Sequence, residues 1–247
     1  MAFLDLKHCR VHYRLDGPPS GPLLVLSNSL GTDLSLWDAQ IPPFIRDFRV
    51  LRYDTRGHGQ SSVSSETAMV AALADDVIAL IDYLGVERFS FCGISLGGMT
   101  GMQLALHQRE RLNALILSNT AARIGTPETW NARIEAVRTQ GMQALVDTTI
   151  QRWFTADFRS RHSAVVDHFR ATFVNTPADG YIACCQAIRD ADLRESISAI
   201  RVPTLVIAGA EDSATTIEDA RSLTQTIAGS KYVQLTAAHL SNVESAR

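Results

Sequence analysis

Residues 89–98 have the composition of a turn that presents a reactive serine. They read FSFCGISLGG, which is an apolar run, the pattern G-x-S-x-G, and the start of an amphipathic stretch. A sharp turn between a strand and a helix would hold the Ser95 hydroxyl clear of a sheet, and glycine at 93 and 97 would avoid the clashes of a Cβ atom. The segment therefore predicts a nucleophile elbow with Ser95 at its tip.

A serine hydroxyl is a weak nucleophile at neutral pH, so it needs a base and a carboxylate that orients the base. After an elbow of this kind, the acid and the histidine follow later strands in that chain order. Asp212 comes just after the apolar run 204–209, and His239 comes just after the run 232–235. We therefore predict a Ser95, His239 and Asp212 triad, with the adjacent Glu211 left open as an alternative acid. The six histidines at 8, 12, 58, 107, 162 and 168 follow no late strand.

Acyl transfer also needs hydrogen-bond donors for the negative charge that develops on the carbonyl oxygen. One backbone N–H should come from Leu96, the residue after the nucleophile. The other should come from the loop after the third strand, residues 27–32, where we choose Leu30. These two amides are the predicted oxyanion hole.

The elements that must position these residues alternate between short apolar runs and helical periodicity, which is typical of a mostly parallel α/β sheet. The stretch 70–84 has one apolar stripe, with Asp75, Asp76 and Asp82 expected in solvent and Gly85 at its end. The first strand is expected to be an antiparallel edge. The predicted strands are Val11–Leu15, Leu23–Ser27, Val50–Tyr53, Phe89–Cys92, Leu115–Ser118, Leu205–Ala208 and Tyr232–Leu235.

Strand signals disappear between residues 122 and 200, where the composition becomes helical. We predict a core formed by residues 1–121 and 201–247, with a helical cap over 122–200 inserted into it. Trp130 and Trp153 could line a substrate pocket or only pack the inserted helices. The arginines at 123, 133, 152 and 189 are candidate anchors for an anionic substrate, although any one of them could be a solvated helix-face charge.

Composition narrows the classes of partner. The chain has 247 residues, a net charge of −3 and no long run of like charges, so nothing points to nucleic acid. The amino-terminal sequence has no basic segment followed by an apolar stretch, and no apolar window is long enough to span a bilayer, so we expect no membrane partner. The four cysteines, at 9, 92, 184 and 185, have no metal-binding spacing and are expected to be reduced thiols in a cytoplasmic protein.

The segment 54–61, DTRGHGQS, places Asp54, Arg56 and His58 close together after a strand. These residue types could do chemistry, but we interpret the segment as a structural turn. The side chains of Asp54 and Arg56 are expected to stabilise this turn and to hold the edge of the sheet in place near the site.

With these residues identified, the chain resembles the α/β-hydrolases, and more narrowly the 3-oxoadipate enol-lactonases of bacterial aromatic catabolism and the β-ketoadipate pathway. Ser29 and Leu30 stand where many relatives have His-Gly, which is the form similar to the enol-lactonases. The resemblance also implies a final helix beyond the histidine loop, and eight residues follow His239 in this sequence. The segments that carry the resemblance are 26–33, 52–59, 93–99, 118–125, 152–154 and 238–242.

The resemblance implies an α/β-hydrolase fold with about eight strands and a cytoplasmic serine hydrolase that opens 3-oxoadipate enol-lactone without a metal or an organic cofactor. Because that substrate carries a carboxylate, we expect Trp130, Arg133 and Trp153 to bind it under the cap. Two alternatives remain open. One is another esterase or carbon–carbon bond hydrolase with the same triad, and the other is a non-catalytic ligand-binding protein of this fold. Self-association of the chain also remains open.

Overall fold

The computed structural model describes residues 2–66 and 69–246, and a sheet of eight strands organises them. Along the sheet the strands lie in the order β1-β2-β4-β3-β5-β6-β7-β8. The pairs β1·β2 and β2·β4 are antiparallel, and every later pair is parallel. The strands are β1 (Ala2–Asp5), β2 (Arg10–Asp16), β3 (Leu23–Ser27), β4 (Arg49–Tyr53), β5 (Phe89–Ile94), β6 (Leu112–Ser118), β7 (Thr204–Gly209) and β8 (Lys231–Leu235).

Helices flank the sheet and join its parallel strands. They are α1 (Ile41–Phe44), α2 (Val70–Tyr83), α3 (Leu96–His107), α4 (Pro127–Gln140), α5 (Val146–Trp153), α6 (Ala156–Arg161), α7 (Ser163–Asn175), α8 (Ala178–Asp190), α9 (Ile217–Thr226) and α10 (Ser241–Glu244). None of the described helices is long and apolar enough to cross a membrane. The predicted fold class, a mostly parallel sheet with flanking helices, is confirmed.

Each predicted strand is present, because short runs of branched and aromatic residues suit strands that are covered on both faces. In β3 and β5 almost every side chain is buried, which explains why their sequences are continuously apolar. Five helices, α4 to α8, lie between β6 and β7. The division of the chain at residues 121/122 and 200/201 remains a prediction.

The antiparallel edge differs from the sequence prediction. The strand predicted over Val11–Leu15 is antiparallel, but it is not the edge, because β1 pairs with it in the register Ala2 to Tyr13. The four residues of β1 are too few to show a period of two, so no clear strand signal is visible there in the sequence.

The segment 54–61 is a structural turn in which Asp54 and Arg56 each have a partner outside the turn. Asp54 does not pair with Arg56. Its carboxylate lies 2.7 Å from His12 Nδ1 and accepts hydrogen bonds from backbone amides. Arg56 instead donates to both carboxylate oxygens of Asp76, so Asp76 is buried on α2 rather than solvated as predicted. A bidentate ion pair can be buried where a lone carboxylate cannot.

His58, in the same turn, is a buried imidazole whose Nε2 has no hydrogen-bond partner among the described residues. Burial lowers the pKa of His58 from 6.5 to about 4, because the interior disfavours the charged ring. Between these two pH values the unfolded chain therefore binds a proton that the folded chain excludes.

We expect the free energy of unfolding to decrease as the pH falls from about 6.5 towards 4, by about 1.4 kcal/mol per pH unit from this group alone. A His58→Gln variant lacks the titrating ring, so its stability deficit relative to the wild type should shrink over that window. Urea unfolding at pH 7, 6, 5 and 4 measures the difference. Parallel curves for the two proteins would contradict the assignment.

Candidate active site

Ser95 lies at a strained turn between β5 and α3. Its backbone angles are φ 56° and ψ −114°, a conformation that L residues rarely adopt. A Cβ atom on Gly93 would lie 2.1 Å from the Gly97 carbonyl oxygen, and one on Gly97 would lie 2.4 Å from that of Ser27. The predicted need for glycine at both positions is confirmed, since backbone fills the space where a side chain would stand.

Asp212 and His239 meet at the carboxyl ends of β7 and β8. His239 Nδ1 lies 2.8 Å from Asp212 Oδ2, and both side chains are buried. Glu211, the alternative acid, has an exposed side chain. Because β7 and β8 are parallel neighbours, the loops that follow them lie side by side, and Asp212 rather than Glu211 contacts His239.

Asp212 is surrounded by donors that suit its ionised form. Burial alone would raise the pKa of Asp212, but the charge and the hydrogen bond of His239 outweigh it and hold that pKa well below its usual range. The side chains of Asn119 and Thr215 donate to Oδ2 at 2.9 and 2.7 Å and lower the pKa further. The carboxylate is therefore charged at neutral pH and can orient the His239 imidazole.

Asn119, at the end of β6, fixes Asp212 and the histidine loop together. It has φ 44°, a left-handed conformation that asparagine tolerates better than most residues. Its side-chain amide donates to Asp212 Oδ2 and to the Ala238 carbonyl, while its carbonyl accepts from the hydroxyls of Ser118 and Ser241. All four hydrogen-bonding positions of this side chain are used.

The histidine loop is also hydrogen-bonded to the helices above the sheet. The His239 amide donates to the Arg152 carbonyl at 3.3 Å, and the Leu240 amide donates to the Trp153 carbonyl at 3.0 Å. These carbonyls are at the carboxyl end of α5, where the last turn has unpaired acceptors. The position of the imidazole therefore depends on the position of α5.

The short helix α10, directly after His239, adds a second connection. The Glu244 carboxylate accepts from the amide and the hydroxyl of Thr155, both at 2.8 Å, and from the amide of Ala238. One carboxylate thus joins the residue before α6 to the residue before the histidine.

The predicted oxyanion donors lie in adjacent segments. Leu96 is the first residue of α3, so its N–H has no partner within the helix. The Gly97 amide donates to the Asn28 carbonyl at 3.1 Å, which holds the start of α3 against the loop after β3. Leu30 lies in that loop, and within the described residues neither the Leu30 nor the Leu96 N–H takes part in a hydrogen bond.

One cavity of about 470 Å³ contains the candidate chemistry. Ser95 and His239 both line it, together with Leu30, so the nucleophile, the base and one oxyanion segment face the same space. The predicted substrate-binding residues Trp130, Arg133 and Trp153 also line the cavity.

Contacts within this lining give each of the three a definite position. Trp130 donates from Nε1 to the Ile124 carbonyl, and the guanidinium of Arg133 lies 5.4 Å from the centre of the Trp130 ring. Arg133 also donates to the Tyr181 hydroxyl at 2.9 Å. Trp153 is 4% exposed and packs edge-on against aromatic rings of α7, so it both packs the inserted helices and lines the cavity.

Of the other three candidate anchors, Arg152 also lines this cavity, whereas Arg123 and Arg189 do not. Arg123 pairs with Asp192, and Arg189 pairs with Asp190. Among the described residues, one group of potential metal ligands lies close together, namely His8, Cys9 and Asp76. In that cluster Arg56 donates to both Asp76 oxygens, so the carboxylate already has a cationic partner.

Sequence reasoning missed the positioning role of Asn119, and among the four candidate arginines it chose Arg133 and assigned no role to Arg152. Asn119 belongs to a segment that carried the family resemblance, but nothing in its residue type separates it from its neighbours. Only its positive φ and its contacts do so.

An Asn119→Asp change keeps the shape and the backbone preference but replaces the donor with a carboxylate that faces Asp212. We expect kcat to fall about 10- to 100-fold with little change in KM, because a hydrogen bond to a charged group is lost and two carboxylates meet. Steady-state kinetics with an ester that the wild type hydrolyses measure kcat and KM, and Asn131→Asp on α4 is the control. Wild-type kcat in Asn119→Asp would rule out the positioning role.

Several solved and curated proteins are similar to this chain. The 3-oxoadipate enol-lactonase 2 of Acinetobacter baylyi is 43% identical over 98% of this chain and 90% of its own length. The crystal structure of the enol-lactonase from Burkholderia xenovorans LB400 matches with a TM-score of 0.97 and 46% identity, covering 99% of this chain and 95% of that one. A malate-bound thermophilic esterase from Thermogutta terrifontis matches with a TM-score of 0.93 and 27% identity, covering 99% and 94%.

Residues 22–246 also match the family described as alpha/beta hydrolase fold. This range includes the elbow, the acid, the histidine and the inserted helices. The hydrolase relatives, the structural matches and the geometry around Ser95 all agree with that assignment. The protein is a hydrolase and belongs to the alpha/beta hydrolase fold family.

Proposed function

We propose that this hydrolase opens the ring of an enol-lactone that carries a carboxylate, with 3-oxoadipate enol-lactone as the substrate, to give 3-oxoadipate. The observation that carries the proposal is a single cavity that joins Ser95 and the His239–Asp212 pair to two arginines. The enol-lactonases of A. baylyi and B. xenovorans, at 43% and 46% identity, support the choice of lactone.

In the first step Ser95 Oγ attacks the ring carbonyl while His239 accepts its proton. The Asp212 carboxylate holds Nδ1–H, which leaves Nε2 as the base. The N–H groups of Leu30 and Leu96 stabilise the charge on the carbonyl oxygen. The ring C–O bond then breaks, and the leaving oxygen departs as an enolate, which is a better leaving group than an alkoxide. His239 gives the proton that it took from Ser95 to this oxygen, which forms the enol and returns the imidazole to its neutral form.

In the second step His239 removes a proton from water, and the resulting hydroxide attacks the acyl-serine carbonyl. The Ser95–acyl bond breaks, Ser95 recovers its proton, and a second carboxylate appears on the product. The freed enol converts to a ketone, which makes ring opening effectively one-way.

The charge of the cavity supports an anionic substrate. Two of the described lining residues, Arg133 and Arg152, are cationic, and none of them is an aspartate or a glutamate. The T. terrifontis esterase was solved with malate, a short dicarboxylate, which is consistent with this preference. Trp130, Arg133 and Trp153 line the same cavity as Ser95 and would contact the bound substrate.

We also propose a cytoplasmic location. All four cysteines are free and buried, the state expected in a reducing compartment. Burial raises the pKa of Cys9, Cys92 and Cys184 to about 11, 12 and 12, so these thiols are protonated and unreactive at neutral pH. Adjacent Cys184 and Cys185 remain unpaired.

A Ser95→Ala variant should lose nearly all turnover, on the order of 10⁶-fold in kcat, because neither the base nor the oxyanion donors can replace the nucleophile. The exposed Ser222→Ala on α9 is the matched control and should keep wild-type activity. Circular dichroism should show that both variants are folded. Retention of a tenth of the wild-type rate by Ser95→Ala would mean that the nucleophile is another residue.

The substrate proposal is tested by the ultraviolet absorbance of 3-oxoadipate enol-lactone during turnover at neutral pH without added metal, beside a neutral p-nitrophenyl ester. We expect kcat/KM for the lactone to exceed that for the ester by at least about 100-fold, since a charged hydrogen bond and an activated leaving group both favour it. Turnover of the ester alone would keep the hydrolase chemistry and reject the lactone. Turnover of neither would reject the proposed function.

A further inference from the structure

The arginines of the inserted helices differ in the partners of their guanidinium groups. Most have an anionic partner, because Arg123, Arg161, Arg170, Arg189 and Arg194 form ion pairs with aspartates. In the cavity, Arg133 is held by the Tyr181 hydroxyl and by the face of Trp130. The guanidinium of Arg152 makes no hydrogen bond or ion pair with any residue that the structure describes, and it remains open to solvent at the cavity. Its five donors are available to a ligand.

The two cavity arginines repel each other without a counter-ion in the described lining. Partial burial lowers the pKa of Arg152, and the nearby positive charge of Arg133 lowers it further. Arginine nevertheless stays charged, so the described lining of the cavity carries two positive charges and no carboxylate. Binding of an anion would relieve this repulsion.

Thr149 provides a second unexplained polar group beside Arg152. It lies three residues earlier on α5, so the two side chains share one face of the helix. The Thr149 side chain also lines the cavity, is 3% exposed, and its hydroxyl has no hydrogen-bond partner among the described residues. A buried hydroxyl without a partner is costly, and a carboxylate oxygen at this face would accept its hydrogen bond.

The backbone of Arg152 ties this face to the catalytic base. Its carbonyl oxygen accepts the hydrogen bond from the His239 amide. The helix that carries Arg152 is therefore hydrogen-bonded directly to the loop that carries the base. A cavity of about 470 Å³ has room for a short ligand between Arg152 and Ser95, which both line it.

We propose that Arg152, assisted by the Thr149 hydroxyl, is the anchor that binds the substrate's carboxylate, and that the cavity consequently binds short aliphatic dicarboxylates. The inference rests on the proposed function for the identity of the substrate. Ring opening of a carboxylate-bearing lactone gives a dicarboxylate, with one carboxylate formed at Ser95 and the other held by Arg152. Arg133 adds positive charge but has its own partners.

Adipate, a six-carbon dicarboxylate, tests the anchor without turnover. Isothermal titration calorimetry on Ser95→Ala should detect adipate binding. Adding Arg152→Gln should weaken that binding about 10- to 100-fold, and adding Thr149→Val should weaken it by a smaller factor, as expected for the loss of charged and neutral hydrogen-bond donors. Arg152→Lys should retain part of the affinity. Arg138→Gln, an exposed arginine at the end of α4 outside the cavity, is the matched control and should bind as Ser95→Ala does.

Three results would overturn the inference. One is adipate binding that Arg152→Gln leaves unchanged, another is a larger loss for Arg133→Gln than for Arg152→Gln, and the third is no adipate binding by Ser95→Ala. Kinetics give an independent readout, because Arg152→Gln should raise KM for the anionic lactone at least about tenfold more than KM for a neutral ester. If the lactone is not turned over but adipate binding still depends on Arg152, the proposed function fails and the anchor stands.

Discussion

The close approach of three backbone segments at the carboxyl end of β5 is the constraint on which the site depends. Gly93, Gly97 and Ser27 leave no room for a Cβ atom between them, so α3 starts directly above the sheet. This approach holds Ser95 at φ 56° and leaves the Leu96 N–H unpaired. The close packing of these three backbone segments thus holds Ser95 in its strained conformation.

The base, His239, is positioned by hydrogen bonds that connect its loop to the sheet and to the inserted helices. Asn119 connects the acid loop to the histidine loop, and Glu244 connects the histidine loop to Thr155. The His239 amide is bonded to the carbonyl of Arg152. In the proposed mechanism, Arg152 binds the substrate's carboxylate and His239 accepts the proton of Ser95, so these two residues are joined by a backbone hydrogen bond.

The sequence was sufficient to predict which residues lie at the site, but not which hydrogen bonds they form. Asp212 and His239 were predictable because parallel strands end at one edge of the sheet, so chain order implies proximity. Asp76 was not, since its buried partner Arg56 is twenty residues away in a segment with no periodicity. Asn119 is distinguished by its left-handed backbone and its contacts, and Arg152 by a guanidinium without a hydrogen-bond partner among the described residues. Residue type reveals neither property.

Trapping the covalent intermediate tests whether a lactone is opened through an acyl-serine. The protein would be mixed with the anionic lactone, quenched in acid within milliseconds, digested and analysed by mass spectrometry. Because the leaving oxygen of a lactone stays attached to the acyl group, we expect the peptide containing Ser95 to gain the full mass of the lactone. Turnover with no adduct on that peptide, or with the adduct on another residue, would contradict it.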